Sequence, residues 1–218
     1  MHLRRNVSSS RLVQLLGGWA AVSADDSRQD FAQRLGTWLS AVDTVRLDAA
    51  MHSIQTLAAH KVMGDHAALS TSLAALEAGL QGLKASAPKG MAVPPPDSDY
   101  AGYYQRYQAQ QRDIEAKVAS LRTQARQALS AASTRLRQLA ALDAVLEQML
   151  GAREQKLLAT VPVFLERRFE HWRQSEQGDW AGAFIKDCQA MLLAEADVRL
   201  EPVKGLIEAL GNEVRTHQ

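Results

Sequence analysis

The sequence predicts an all-α protein, a helical bundle of about eight helices with a long helix or helical hairpin and no sheet. Alanine and leucine dominate the apolar residues while isoleucine is scarce, a balance that favours helix over strand. Beyond Tyr100, apolar residues recur on one arc of an ideal helix and predict a seam for partner helices. The seam consists of Tyr100, Tyr103, Tyr107, Ile114, Val118, Leu121, Ala125, Ala128, Leu129, Ala132, Leu136 and Leu139.

Length and charge limit the classes of protein. A chain of 218 residues can bury about 70% of its unfolded surface, in one large domain or two small ones. The net charge of +1 provides no overall attraction to nucleic acid or anionic lipid. The longest uncharged run, residues 12–24, is too short to cross a bilayer, so we expect no direct membrane insertion. The lone Cys188 suits a reducing compartment, and its apolar setting predicts a core residue.

Residues 1–85 are predicted to form an N-terminal helical subdomain. A first helix follows the caps at residues 8–10 and ends near Ser23, and a second opens at Ser27. A third, with an uncertain start, lies between Asp43 and Met63. Asp65 caps a fourth, whose leucines alternate at spacings of three and four. An alternative interpretation of the amino end is a signal peptide, because residues 21–24 imitate a cleavage site, but Arg11 and Gln14 interrupt the apolar run before them.

Residues 86–99 form a predicted Pro-rich linker, and residues 100–218 a predicted long-helix bundle subdomain. Three consecutive prolines favour extended polyproline geometry and a semi-rigid spacer, with a Pro-rich partner ligand as the alternative. In the second subdomain we expect breaks at residues 130–134, where Ser133 caps a fresh helix, and near Pro162. Asp179 is expected to cap a further helix, and Pro202 to begin a short closing helix.

The chain contains no recognised catalytic motif. No Gly-rich phosphate loop is present, and the histidines lack the spacing of zinc or di-iron ligands. Asp48 and His52 share a helix face, but one carboxylate and one imidazole do not make a metal site. We therefore predict a non-enzymatic protein with no catalytic residues, cofactor or metal; a hydrolytic enzyme is an alternative that no motif supports.

A basic stripe is the polar feature with the clearest functional implication. Between Tyr100 and Arg137 the chain has seven basic residues and two acidic ones. Four arginines share one arc away from the seam, and clustered cations are what binding to a phosphate backbone requires. The candidate nucleic-acid-binding residues are Arg112, Arg122, Arg126 and Arg137. A solvated helix face and a site for an acidic protein are the alternative interpretations.

The apolar seam also predicts an interface with a partner or a second copy. Its candidate residues are Tyr103, Tyr107, Ile114, Val118 and Leu121. A seam of this length exceeds what one chain readily covers, so we expect a homo-oligomer, most simply a symmetric dimer. The tyrosines have the rings needed to stack nucleic-acid bases, but three of the four lie on the seam and favour core or interface.

Three stretches of the chain resemble the bacterial domain of unknown function (DUF) 3348 family. They are residues 10–16 followed by SRQDFAQRLGTWL from Ser27, LAALDAVLEQMLGAREQKLLATVP from Leu139, and MLLAEADVRLEPVKGLIEAL from Met191. The resemblance spans nearly the whole chain and is loosest between His52 and Asp99. It implies a cytoplasmic location, because the amino end belongs to the domain.

The resemblance also implies a role. Members of that family look like accessory components of operons that encode a flagellar-stator-like channel protein and a peptidoglycan-binding partner, similar to the Zorya anti-phage systems. The leading hypothesis is a cytoplasmic adaptor in such a system, in contact with co-encoded defence proteins and the cytoplasmic tail of the stator-like protein. The alternative is a defence effector that binds DNA through the basic stripe. The resemblance carries over no catalytic residue.

Overall fold

A computed structural model of the chain describes residues 10–20, 41–57, 65–91, 99–175 and 178–216. These residues form helices and short turns with no strand among them, which confirms the all-α class. None of the described helices is both long and apolar enough to cross a membrane. The helices are α1 (Arg11–Ala20), α2 (Ala41–Gln55), α3 (His66–Ser86), α4 (Tyr100–Ala132), α5 (Thr134–Leu158), α6 (Val161–Gln174) and α7 (Trp180–Thr216), with a short 3-10 turn at Ala87–Gly90.

Three predicted caps are present at helix starts. The Oδ1 atom of Asp65 accepts the Ala67 N–H at 3.1 Å, and Oδ1 of Asp179 accepts the Gly182 N–H at 3.1 Å. The Oγ atom of Ser133 accepts the Leu136 N–H at 3.3 Å, between α4 and α5. Each bond satisfies a backbone donor that has no partner inside the first turn of its helix, which is why these residues mark the boundaries.

Pro162 and Pro202 occupy different positions in their helices. Pro162 lies in the first turn of α6 after a break at residues 159–160, as predicted. Pro202 was predicted to begin a short closing helix, but it lies inside the continuous α7. The correction has a physical reason, because Leu200, Val203 and Leu206 lie on one buried face across the proline. Burial of this face outweighs the one hydrogen bond that proline removes.

The expected count of about eight helices was too high for the described residues. The main reason is that the predicted closing helix is the carboxyl-terminal part of α7. Residues 27–40 of the predicted second helix lie outside the described residues. The three prolines of the predicted linker lie outside them as well. The seam of α3 is confirmed, since Leu69, Leu76 and Leu83 are buried.

The helices contribute to two compact units. Unit 1 contains Met1–Asp25, Gly79–Ser120 and Lys156–Glu201, and unit 2 contains Asp26–Ala78, Leu121–Gln155 and Pro202–Gln218. Both units draw on segments from before and after residues 86–99, and the predicted subdomains on either side of this linker stay a prediction.

Unit 1 has an aromatic core between α4, α6 and α7. The ring of Phe169 lies 5.6 Å from Tyr100, 5.4 Å from Tyr103, 5.3 Å from Phe184 and 5.5 Å from Trp180, centroid to centroid. The tilted and edge-on arrangements are those that aromatic quadrupoles favour. These ring contacts connect α4, α6 and α7 to one another.

Candidate functional site

Glu195 is the most deeply buried charged residue among those that the structure describes. It lies on α7 with 1% of its surface exposed. The Tyr107 hydroxyl donates a hydrogen bond of 2.5 Å to Glu195 Oε1, and the Gln111 Nε2 group donates to Oε2 at 2.8 Å and to Oε1 at 3.1 Å. Tyr107 and Gln111 are four residues apart on α4, so both donors point from one helix face toward the same carboxyl.

Gln111 also connects this site to the end of α5. Its Nε2 group donates to the Leu158 carbonyl oxygen at 3.3 Å. One amide group therefore links the Glu195 carboxyl on α7 with the last residue of α5. A buried Glu with two different side-chain donors is a satisfied polar centre rather than a packing defect.

The electrostatics of this centre are set by burial. Burial raises the pKa of the Glu195 carboxyl, while the hydrogen bonds from Tyr107 and Gln111 and the charge of Arg199 lower it in part. Burial also raises the pKa of the Tyr107 hydroxyl, and the neighbouring Glu195 adds to that increase. The hydroxyl therefore stays protonated and acts as a donor to the Glu195 carboxyl.

Changing Glu195 to Gln is expected to alter the pH dependence of stability. A raised pKa means that the native chain binds the proton more tightly than the unfolded chain, so the free energy of unfolding falls as pH rises from the unfolded to the folded pKa. The Glu195→Gln variant lacks this loss, and its stability relative to wild type should increase with pH in urea titrations. Glu208→Gln, at an exposed position on the same helix, is the control. A stability difference between Glu195→Gln and wild type that stays constant with pH would contradict the assignment.

Cys188 lies near the same site and is buried, as the sequence predicted. Burial raises the pKa of its thiol, so the thiolate needed for nucleophilic attack is not formed at neutral pH. The thiol therefore contributes to packing rather than to covalent chemistry.

A second polar arrangement in unit 1 fixes α1. The Arg168 guanidinium lies 4.8 Å from the Trp172 ring centroid and 5.5 Å from that of Trp19 on α1. Asp187 accepts hydrogen bonds of 2.6 Å from both Arg168 Nε and Trp172 Nε1. The cation lies against both indoles and is held by a carboxylate, and its contact with Trp19 attaches the short α1 to α6.

Unit 2 contains a compact ion-pair cluster between α4 and α5. The Arg122 guanidinium donates to both carboxylate oxygens of Asp143, at 2.8 and 2.6 Å, and to Glu147 at 3.3 Å. Arg126 lies 3.3 Å from Asp143 and donates to Glu147 as well. Burial works against the charge of Arg122, but Asp143 and Glu147 outweigh it, so its pKa is raised. Two cations face two carboxylates, and the cluster joins the two helices on either side of Ser133.

The cluster changes the interpretation of the basic stripe. Arg122 is buried, and the charges of Arg122 and Arg126 are balanced by Asp143 and Glu147. Of the four candidate arginines, Arg112 is exposed and Arg137 is half-buried. The four do not form the single exposed basic face that the helical arc suggested, and nucleic-acid binding stays a prediction with less support.

The predicted interface residues lie inside the chain. Tyr103, Tyr107, Ile114, Val118 and Leu121 are all buried by the chain's own helices. The seam was correctly placed as a packing face, but the structure corrects its assignment as a surface that a partner or a second copy can reach. Homo-oligomer formation stays a prediction and needs another surface.

Sequence reasoning missed the polar centre at Glu195. The signal was available in MLLAEADVRL, where Glu195 interrupts an apolar run on the buried face of a helix. Its donors were harder to find, because Tyr107 was assigned to the apolar seam. Among the described residues, no group of three or more His, Cys, Asp or Glu side chains is arranged to hold a metal ion.

Comparisons with known proteins identify a family. No curated protein and no solved structure matches the chain. A family model described as "Protein of unknown function (DUF3348)" matches residues 1–212, nearly the full length. The chain belongs to the DUF3348 family.

Proposed function

We propose that this chain is a non-enzymatic, cytoplasmic accessory protein of a stator-motor-linked, Zorya-like anti-phage system. It works as an adaptor that binds a co-encoded protein or the cytoplasmic tail of the stator-like component through helix-mediated contacts. The family membership and the operon arrangement implied by the sequence resemblance support the defence setting.

The observation that carries the adaptor role is the apolar surface at the α5–α6 turn. Leu157 is 55% exposed before the turn and Val163 is 51% exposed after it. Tyr104 adds an exposed ring close by, since its neighbour Tyr100, at 6.1 Å between ring centroids, donates a hydrogen bond to the Pro162 carbonyl at the start of α6. Exposed apolar and aromatic side chains are typical of sites for protein partners, and these three lie beside one turn or next to a residue that contacts it. We call Tyr104, Leu157 and Val163 the turn patch.

Charged substitutions in the turn patch should abolish partner capture without unfolding the chain. The double variant Leu157→Asp, Val163→Asp is expected to weaken binding of a co-encoded partner by about tenfold or more, because charge at an interface centre is costly to desolvate. The measurement is a pull-down from cells that express the full operon, followed by titration of the purified pair.

The matched control for this experiment is Val45→Asp in unit 2. Val45 is 69% exposed, so the same chemical change is made outside the turn patch. Equal loss of binding in both variants would argue against a specific patch, and failure of the wild-type chain to capture any co-encoded protein would overturn the adaptor proposal.

A further inference from the structure

Glu195 lies directly behind the α5–α6 turn. Leu158, Val161 and Pro162 are buried, whereas Ala159 and Thr160 are exposed. On the inner side, Gln111 donates to both the Leu158 carbonyl and the Glu195 carboxyl. The Gln111 amide is therefore hydrogen bonded both to the solvent-facing α5–α6 turn and to the buried Glu195 carboxyl.

The turn is closed by local hydrogen bonds, including one from the Thr160 N–H to the Leu157 carbonyl at 3.1 Å, and the Tyr100 hydroxyl donates to the Pro162 carbonyl. Thr160 occupies the position before α6, yet its side chain makes no cap bond to the helix. Its hydroxyl instead donates to the Leu157 carbonyl at 2.6 Å, and the Val163 N–H donates to the Thr160 carbonyl at 3.1 Å. A helix start without a side-chain cap opens at lower free energy than a capped one.

The charged and titratable groups around Glu195 come from several helices. On α7, Arg199 favours the ionised carboxyl and lies 4.0 Å from Glu115 of α4. Tyr107 of α4 donates to the carboxyl, and Cys188 of α7 lies near enough to contribute to the raised pKa of that tyrosine. Lys84 of α3 forms an ion pair with Asp197 of α7. Glu166 of α6 contributes to the raised pKa of Tyr100. The cation Arg199 is thus shared with an acidic residue, and burial remains the dominant influence on Glu195.

We propose that the α5–α6 turn is a proton-linked latch, which stays closed over Glu195 while this carboxyl is protonated and opens more often once it is ionised. An ionised carboxyl gains more from water than from a buried site, and opening the turn gives water a route to it. Ionisation must then favour the open turn by the same free energy by which opening favours ionisation. This inference concerns the chain alone and goes beyond the proposed function, because it holds whether or not a partner binds the turn.

Hydrogen exchange on the full-length chain tests the latch. Peptides covering residues 157–163 are followed by mass spectrometry between about pH 5 and about pH 8, with rates divided by the intrinsic chemical rates to give protection factors. The protection of the turn should fall by about threefold or more as pH rises, while peptides from α3 change little. A turn whose protection does not vary with pH overturns the proposal.

Two variants assign the effect to Glu195. In Glu195→Gln the side chain is neutral at every pH, so the turn should keep high protection throughout, whereas Glu208→Gln should retain the wild-type dependence. If Glu195→Gln keeps the wild-type dependence, the latch is not linked to this carboxyl. Gln111→Met provides a second route should Glu195→Gln fail to fold. It removes the bond to the Leu158 carbonyl, and its turn should exchange at low pH as fast as the wild-type turn does at high pH; unchanged protection would contradict the proposal.

Discussion

Replacing Asp143 by alanine is expected to lower the free energy of unfolding by about 3–5 kcal/mol. The substitution leaves the buried Arg122 guanidinium without its bidentate partner and removes the contact to Arg126 Nε as well. Since Glu147 contacts Arg122 through one nitrogen at 3.3 Å, it cannot replace the two bonds that are lost. Urea unfolding followed by circular dichroism gives the free energy directly.

The chain offers a matched control for this prediction. Asp113 pairs with Lys117 at 2.6 Å, but both side chains are about half exposed. Asp113→Ala should therefore cost only about 0.5 kcal/mol, the usual value of a surface pair along a helix. Similar losses in both variants would show that the Arg122 cluster is more solvated than its burial indicates. The double variant Arg122→Met, Asp143→Leu should regain much of the stability, because it removes both charges together.

Replacing Phe169 by alanine is expected to cost about 3–5 kcal/mol. Phe169 is buried, and its ring contacts four other aromatic rings, two from α4 and two from α7. Truncation leaves a cavity at the centre of unit 1 and removes edge-on contacts that add to simple burial. Thermal unfolding and near-ultraviolet circular dichroism, which reports the packing of aromatic rings, should both change.

Tyr104→Ala is the control for the aromatic core. Tyr104 is exposed and hydrogen bonded only locally, to Gln108 at 2.6 Å, in the described contacts. Its removal should cost about 1 kcal/mol or less. If Phe169→Ala and Tyr104→Ala destabilise equally, the aromatic cluster does not form the centre of unit 1. Because Tyr104 belongs to the turn patch, the same variant should weaken capture of a co-encoded partner while the fold stays intact.

These predictions concern separate properties of the molecule. The Asp143 and Phe169 variants test packing in unit 2 and unit 1, and the turn-patch variants test the proposed partner site. The Glu195 variants test proton linkage in the chain alone. Failure of the adaptor proposal would leave the latch untouched, because no partner is present in the exchange experiment.

Local sequence signals predicted the elements well. Helical periodicity placed α3, α4 and α6, and the caps at Asp65, Ser133 and Asp179 marked boundaries because a short polar side chain satisfies backbone donors only a few residues away. The same local rule failed at Pro202, where the continuity of the buried face was decisive. No local rule reports how much apolar surface the other helices cover.

The candidate site was much less predictable. A helical arc shows which residues share a face, but it does not show what lies opposite. The arc separated Arg122 from the seam, yet α5 brings Asp143 against it and buries both. Tyr107 was assigned to the seam as an apolar ring, yet α7 brings Glu195 to its hydroxyl. The two pairings join residues that are 21 and 88 positions apart in the chain, whereas a helical pattern relates only residues a few positions apart.

The amino-acid sequence by itself determined that this protein is helical, where most of its helices begin and end, and which faces are apolar. These properties depend on propensity, capping and periodicity, which act over a few residues. Tertiary structure alone decided that the seam is covered by the chain's own helices, that two arginines are neutralised, and that Glu195 lies buried behind the α5–α6 turn. Burial and charge pairing depend on which helices pack together, and that choice is made over the whole chain at once.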